Sequence, residues 1–93
     1  MIMRAGWDLV LDKVLSHPQL DELECLFQLL LTEDERSAVA GRLKVFQLLL
    51  EGQMSQRQIA SEYEVSIATI TRCSNYLKNM SAERRAAITA LIL

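Results

Sequence analysis

Polar side chains suited to molecular recognition are concentrated in residues 56–75 of this sequence. Ser55 and Gln58 have the spacing of a capping box, in which a hydroxyl and an amide side chain satisfy each other's backbone N–H groups at the start of a helix. Ser66 is a second cap candidate. The pattern predicts two short helices separated by a turn of about three or four residues, which is the arrangement of a helix-turn-helix.

Small and apolar residues are placed to hold these two helices together. Ile59, Val65 and Ile70 can close a small core between them, and the small side chain of Ala60 permits a close crossing. The second helix then turns outward a set of small, methyl-bearing and hydrogen-bonding groups, namely Ile67, Ala68, Thr69, Thr71, Arg72 and Asn75. Such a mixture fits the edges of bases in a DNA major groove.

The alternative for this segment is an ordinary helical hairpin whose hydroxyl groups only cap helices and contact water. Glu64 favours that alternative, because it occupies the turn position where glycine usually provides a left-handed backbone.

Neither enzyme chemistry nor metal binding is predicted. The only histidine, His17, precedes the helix-breaking Pro18, and no acid–base pair or nucleophile has a partner at useful spacing. Cys25 and Cys73 are far apart and form no paired-cysteine motif, so both are expected to be free thiols.

The composition predicts an all-α protein that associates with a second copy. Hydrophobic residues make up 51% of the 93 residues, and aromatic residues only 5%. A chain this short buries only about 60–65% of the surface that its unfolded form exposes, so some apolar helix faces need another cover. A second copy of the chain is the simplest one.

No segment of the sequence predicts a membrane span or an export signal. No stretch reaches the roughly 18 apolar residues of a membrane span, and no secretory signal opens the chain. A cytoplasmic protein is expected.

Charge is unevenly distributed along the chain. The formal net charge of −2 separates into −5 for residues 1–41, +2 for residues 42–79 and +1 for residues 80–93. Attraction to phosphate needs only a locally basic face, so the acidic total is compatible with DNA binding. The same acidic balance also suits a helical interaction protein without a DNA role, which stays open as an alternative.

Apolar residues at helical spacing predict four further helices. Pro18 should end the first, and a capping box of Thr32 and Glu35 should open the third, which Gly52 should end. Ser81 should cap the last. The predicted apolar faces are Trp7, Val10, Leu11, Val14 and Leu15; Leu20, Leu23, Leu26, Phe27, Leu30 and Leu31; Val39, Leu43, Phe46, Leu49 and Leu50; and Ile88, Leu91 and Ile92.

From about Trp7 to the last predicted helix, the sequence resembles the Trp repressor family. The most specific matching segments are Leu31-Thr32, Asp34-Glu35-Arg36, Met54-Ser55-Gln56-Arg57, Ile67-Ala68-Thr69-Ile70-Thr71-Arg72 and Ser74-Asn75. The resemblance implies a six-helix, intertwined homodimer with one helix-turn-helix in each subunit. In the single domain 1–93, residues 1–52 would form the dimerisation core, residues 53–79 the helix-turn-helix, and residues 80–93 a helix that completes the core.

The family binds tryptophan as corepressor, so the resemblance implies L-tryptophan as the effector and no metal. Arg42 and Arg72 match two arginines that flank the indole plane, and guanidinium groups do stack on aromatic faces. Arg72 also matches the carboxylate contact, with Thr32 as a second polar contact. The backbone carbonyls of Leu29 and Leu31 of the partner subunit would accept the ammonium group. Without the resemblance, Arg42 would be interpreted as a solvated arginine or a phosphate contact.

Two residues depart from the family at this site. Cys73 stands where the family has a glycine against the ligand, and Tyr76 replaces a serine near the ligand's amino group. Both are larger, and overpacking typically costs about 1–3 kcal/mol. Three possibilities therefore stay open. Tryptophan binds weakly or in a shifted position, another small molecule is the effector, or the protein is a ligand-independent regulator of the same fold.

The resemblance also implies a palindromic, double-stranded DNA operator. The residues expected to bind it are Gln56, Arg57, Ile67, Ala68, Thr69, Thr71, Asn75 and Lys78. Gln56, Arg57 and Lys78 match contacts to the DNA backbone, which set register, whereas the groove-facing residues select sequence. The expected activity is repression of genes for tryptophan biosynthesis or uptake.

Overall fold

The computed structural model describes residues 2–93, with side chains from residue 6 onward. The described residues form six helices, which are α1 (Ile2–Ser16), α2 (Leu20–Leu30), α3 (Glu33–Glu51), α4 (Gln56–Tyr63), α5 (Ile67–Lys78) and α6 (Ala82–Ile92). Since no strand occurs in this part of the chain, the all-α prediction is confirmed. None of these helices is both long and apolar enough to cross a membrane.

Side-chain caps form at the starts of α3, α4, α5 and α6, as predicted. At α3, the Thr32 backbone N–H donates to Glu35 Oε1 at 2.8 Å, and the Glu35 N–H donates to the Thr32 hydroxyl at 3.1 Å. Ser55 and Gln58 form the same reciprocal box at α4, with bonds of 2.7 and 3.1 Å. Ser66 and Ser81 each accept one backbone N–H at the starts of α5 and α6. These bonds satisfy N–H groups that have no partner within the helix.

The chain divides into two compact units, the first ending at Arg36 and the second spanning Ser37–Leu93. In the first unit, no side chain described from residue 6 onward is buried. Leu15, Leu20 and Leu29, which α1 and α2 carry, are 77%, 74% and 81% exposed. Within one copy of the chain, the apolar stripes predicted for these helices are therefore at most half-buried.

The second unit has a small core to which three helices contribute. Val45 and Leu48 of α3, Ile59 of α4, and Ile70 and Cys73 of α5 form one buried cluster. The small core predicted between the two helices is confirmed, since Ile59 and Ile70 both lie in this cluster with no exposed surface. Half-buried Ala60 and Val65 pack against the same cluster, as expected for the crossing of the two helices.

The predicted apolar face of α3 left out two residues that the structure buries. The buried residues are Val45 and Leu48, which the prediction omitted, whereas Val39 and Leu43 are 53% and 46% exposed. The reason is that α3 carries apolar residues on two of its sides, and helical periodicity does not say which side meets α4 and α5. Phe46 and Leu49, which were predicted, do pack against the core.

The turn between α4 and α5 contains a backbone conformation that side chains disfavour. Glu64 has φ 53° and ψ 39°, in the left-handed region. In the sequence, Glu64 favours an ordinary helical hairpin over a helix-turn-helix, yet the turn has the left-handed backbone with glutamate in this position. Gly52, which follows α3, is also left-handed with φ 72°, as predicted.

Substitution at these two left-handed positions should change stability in opposite directions. Glu64→Gly should raise the free energy of unfolding by about 0.5–1 kcal/mol. A side chain in the left-handed region lowers stability by roughly 1–2 kcal/mol, and glycine removes this cost. Glycine also has more conformational freedom in the unfolded chain, which favours unfolding and offsets part of the gain in stability. Gly52→Ala should lower it by about 1 kcal/mol for the same reason. Urea unfolding at equal protein concentrations measures both, and a Glu64→Gly variant less stable than the parent would contradict the explanation.

Candidate functional site

A cavity of about 390 Å³ lies between α3 and α5 in the second unit. Its lining comes from two residues one helical turn apart on α3 and four on one side of α5, which are Arg42, Phe46, Thr69, Arg72, Cys73 and Tyr76. A volume of this size is sufficient for a small organic ligand.

The cavity is positively charged. Arg42 and Arg72 both line it, and no acidic side chain does. Among the described residues, no carboxylate lies within ion-pair distance of Arg42 or Arg72, so neither cavity arginine is neutralised by an acidic side chain. Guanidinium groups bind carboxylates through paired hydrogen bonds and stack on aromatic rings. The cavity is therefore chemically suited to a planar aromatic anion.

Cys73 contributes an uncharged thiol to the cavity wall. The side chain is only 5% exposed. Burial raises the pKa of the Cys73 thiol, while the positive charges of Arg42 and Arg72 act in the opposite direction and offset part of the rise. Cys73 therefore stays protonated at neutral pH and presents a small, weakly polar surface to the cavity.

An aromatic pair forms another part of the wall. The rings of Phe46 and Tyr76 meet edge to face, with centroids 6.2 Å apart and an angle of 65° between the ring planes. Tyr76 is 56% exposed, so much of its ring is open to a ligand. Edge-to-face pairs favour a defined ring orientation, which gives the cavity a shaped apolar side.

The structure brings together four of the residues predicted to bind the ligand. Arg42, Arg72, Cys73 and Tyr76 all line the cavity. Phe46 and Thr69 also line it, although neither was predicted as a ligand residue. Helical spacing could have identified both, because Phe46 lies one turn after Arg42 and Thr69 lies one turn before Arg72 and Cys73.

The other predicted ligand residues, Leu29, Leu31 and Thr32, belong to the first unit. The Leu31 carbonyl already accepts a 2.8 Å hydrogen bond from the Arg36 guanidinium. A carbonyl oxygen has two lone pairs, so one acceptor position remains. The Thr32 hydroxyl is engaged in the cap of α3.

Most of the predicted DNA-binding residues are exposed at the start of α4 and along α5. The exposed members are Arg57, Ile67, Ala68, Thr71, Asn75 and Lys78. Gln56 and Thr69 are half-buried: the Gln56 amide donates to the Ser74 hydroxyl at 3.3 Å, and the Ser66 hydroxyl donates to Thr69 Oγ1 at 2.9 Å. Thr69 thus lines the cavity and also contacts Ser66, the residue that caps α5.

The side chains of α5 divide into three faces along the helical repeat of about 100° per residue. Ile70, Cys73, Ser74 and Leu77 are buried. Thr69, Arg72, Cys73 and Tyr76 line the cavity, with Cys73 at the edge between the two faces. Ile67, Ala68, Thr71, Asn75 and Lys78 form the exposed face. A ligand in the cavity would therefore contact the same helix that carries the exposed polar groups.

Comparison with known proteins identifies the chain's relatives. The family model described as "Trp repressor protein" matches residues 5–92. A "Trp operon repressor homolog" of Vibrio cholerae is 44% identical over 94% of this chain and 84% of the relative. Proteins with the same name from Vibrio atlanticus and Chlamydia trachomatis are 40% and 42% identical, over 95% and 85% of this chain and 90% and 84% of the respective relatives.

These matches are incompatible with the alternatives of a plain helical hairpin or an interaction module without a DNA role. Members of this family are DNA-binding transcription regulators and not enzymes. Because the family match spans nearly the whole chain and identities reach 44%, the chain belongs to the Trp repressor family and acts as a transcriptional repressor.

Proposed function

We propose that this repressor works as a homodimer whose helix-turn-helix segments bind a palindromic operator when L-tryptophan occupies the cavity between α3 and α5. The observation that carries the proposal is the division of α5 into a cavity face with Arg72 and an exposed polar face. A ligand that changes the position of α5 changes the surface that reads DNA. The regulated genes would be those of tryptophan biosynthesis or uptake.

Exposed apolar surface supports the dimer. The first unit buries none of its described side chains, and in the second unit Leu91 of α6 is 81% exposed. Exposed apolar surface of this extent marks an interface. A symmetric, intertwined partner would cover it, with residues 1–52 and 80–93 forming the shared core and residues 53–79 remaining free to contact DNA.

The charges of the cavity support tryptophan as the ligand. Arg72 would bind the carboxylate, the indole would lie between the guanidinium groups of Arg42 and Arg72, and Thr32 would add a polar contact. The carbonyls of Leu29 and Leu31 of the partner subunit would accept the ammonium group. Leu31 retains an acceptor position for it beside the bond from Arg36.

DNA binding would follow from how the ligand holds α5. Helix-turn-helix dimers read two half-sites about 34 Å apart, so both reading helices must have the right separation and tilt. Tryptophan bound against α5 would favour this separation and tilt of the reading helices over the other orientations that the ligand-free protein populates. Gln56, Arg57 and Lys78 would contact phosphates, and Ile67, Ala68, Thr69, Thr71 and Asn75 would face the groove.

The second candidate function is a repressor of the same fold that responds to a different small molecule. The bulk of Cys73 in the cavity wall favours it. Cys73 and Tyr76 add volume beside any ring held by Arg42 and Arg72. An aromatic anion smaller than tryptophan would clash less with these two side chains. The cavity nevertheless retains about 390 Å³ with both residues in place, which supports a ligand-responsive regulator over a ligand-independent one.

Selection of bound duplexes from a random DNA pool tests the proposal directly. At about 0.15 M salt, the protein should enrich a palindrome when about 1 mM tryptophan is present, and should enrich it weakly or not at all without tryptophan. The same palindrome with equal enrichment in both samples would contradict the tryptophan effect. Failure to enrich any sequence would contradict operator binding.

Alkylation of the two cysteines should report occupation of the cavity. Tryptophan should slow the reaction of iodoacetamide with Cys73, which lines the cavity, and should leave the reaction with Cys25, which does not line it, unchanged. Since the thiolate is the reactive form and the pKa of Cys73 is raised, its reaction should accelerate as the pH rises above neutral. Peptide mass spectrometry gives both rates in one sample, with Cys25 as internal control. An unchanged rate at Cys73 in saturating tryptophan would place the ligand elsewhere.

The salt dependence of operator binding should identify the phosphate contacts. Arg57→Gln should reduce the slope of log affinity against log salt by about 1.8 per dimer, because each lost phosphate contact contributes about 0.9. Arg84→Gln removes the same charge outside the predicted DNA-binding set and should leave the slope unchanged. Fluorescence anisotropy at several salt concentrations measures both. Equal slopes for Arg57→Gln and the parent would remove Arg57 from the contact set.

A further inference from the structure

The last turn of α5 is held by a side chain from α6. Nη2 of Arg85 donates a 2.6 Å hydrogen bond to the Leu77 carbonyl oxygen, and the bond is partly buried. The final carbonyl groups of a helix have no partner within the helix and carry its partial negative charge. A guanidinium group therefore satisfies both needs of this helix end, through a charge-assisted bond that is stronger than one between neutral groups.

A second bond holds the other end of α6 without touching α5. Nε2 of Gln47, on α3, donates a 2.9 Å hydrogen bond to the Ile92 carbonyl oxygen. The side chains of α6 provide little anchorage in one copy of the chain, since none is buried and only Ile88, Thr89 and Ile92 are half-buried. Both hydrogen bonds thus hold α6 in place, but only the Arg85 bond also contacts α5.

The end of α5 that Arg85 holds is close along the helix to the cavity. Leu77 directly follows Tyr76, a cavity residue, and directly precedes Lys78, which is exposed at the end of α5. Among the described residues, one side-chain hydrogen bond runs from α4 to this part of α5, from the Gln56 amide to the Ser74 hydroxyl, and at 3.3 Å it is longer than the Arg85 bond. Because backbone hydrogen bonds link each turn of an α-helix to the next, displacement of the last turn of α5 would be carried along the helix and change its tilt.

We infer that Arg85 is a positioning residue that fixes the tilt of α5 through the Leu77 carbonyl, and so couples the cavity to DNA reading. This inference rests on the proposed function. It assigns to α6 a role in the DNA-bound geometry of each reading head in addition to any role in covering apolar surface. Arg85 itself contacts neither ligand nor DNA in this scheme.

Four variants separate positioning from general stability. Arg85→Met should weaken tryptophan-dependent operator binding by about tenfold, or about 1.4 kcal/mol. Gln47→Met loosens the other end of α6 and Arg84→Met removes a neighbouring charge, so both should bind within about threefold of the parent. Arg85→Lys can still donate to the carbonyl and should recover most of the affinity. Anisotropy with the selected duplex, with and without tryptophan, and urea unfolding of each variant provide the readouts.

The comparison between Arg85→Met and Gln47→Met decides the inference. The inference would be overturned if Arg85→Met and Gln47→Met lost equal amounts of stability and equal amounts of DNA affinity, because Arg85 would then only anchor α6. Parent-like binding by Arg85→Met would also overturn it. If Arg85→Met does not fold, Arg85→Gln, which keeps a neutral donor, should weaken binding by about three- to fivefold, and parent-like binding by that variant would overturn the inference instead. The parent protein, measured in parallel, tests the proposed function separately through its own response to tryptophan.

Discussion

A small cluster of side chains between α3, α4 and α5 determines where the candidate functional groups of the second unit lie. Val45, Ile59 and Ile70, one from each helix, have no exposed surface. Few other buried side chains support them, so each makes a large share of the contacts that orient its helix. Close-packed interiors transmit small changes in shape, and a change at this cluster would move the cavity and the exposed face of α5 together.

The helical repeat allows α5 to serve three purposes with twelve residues. Its buried face anchors it, its cavity face carries Arg72, and its exposed face carries the small and polar groups suited to base edges. In a rigid helix, contact with a ligand on one face changes the position of the others without any change in their own structure. The bonds from Gln56 and Arg85 restrain the same helix from its two neighbours.

Charge is divided between the parts of the chain in a way that suits this arrangement. The acidic residues concentrate before residue 42, while the cavity has two unpaired arginines and no carboxylate. The cavity can therefore attract an anion although the whole chain has a net charge of −2. The protonated Cys73 adds no charge that would compete with the ligand's carboxylate.

Local sequence signals by themselves determined where α3 to α6 begin, because a cap such as Thr32 with Glu35 or Ser55 with Gln58 closes within a few residues. They also located Arg42 and Arg72, through resemblance to the family. The tertiary structure decided which side of α3 is buried, since that choice depends on contacts with helices distant along the chain. It also brought Phe46 into the cavity beside Tyr76 and imposed a left-handed backbone on Glu64. The buried side of α3 depends on packing against helices distant along the chain, and Glu64 takes a backbone conformation that its side chain disfavours, whereas a sequence pattern records only local preference.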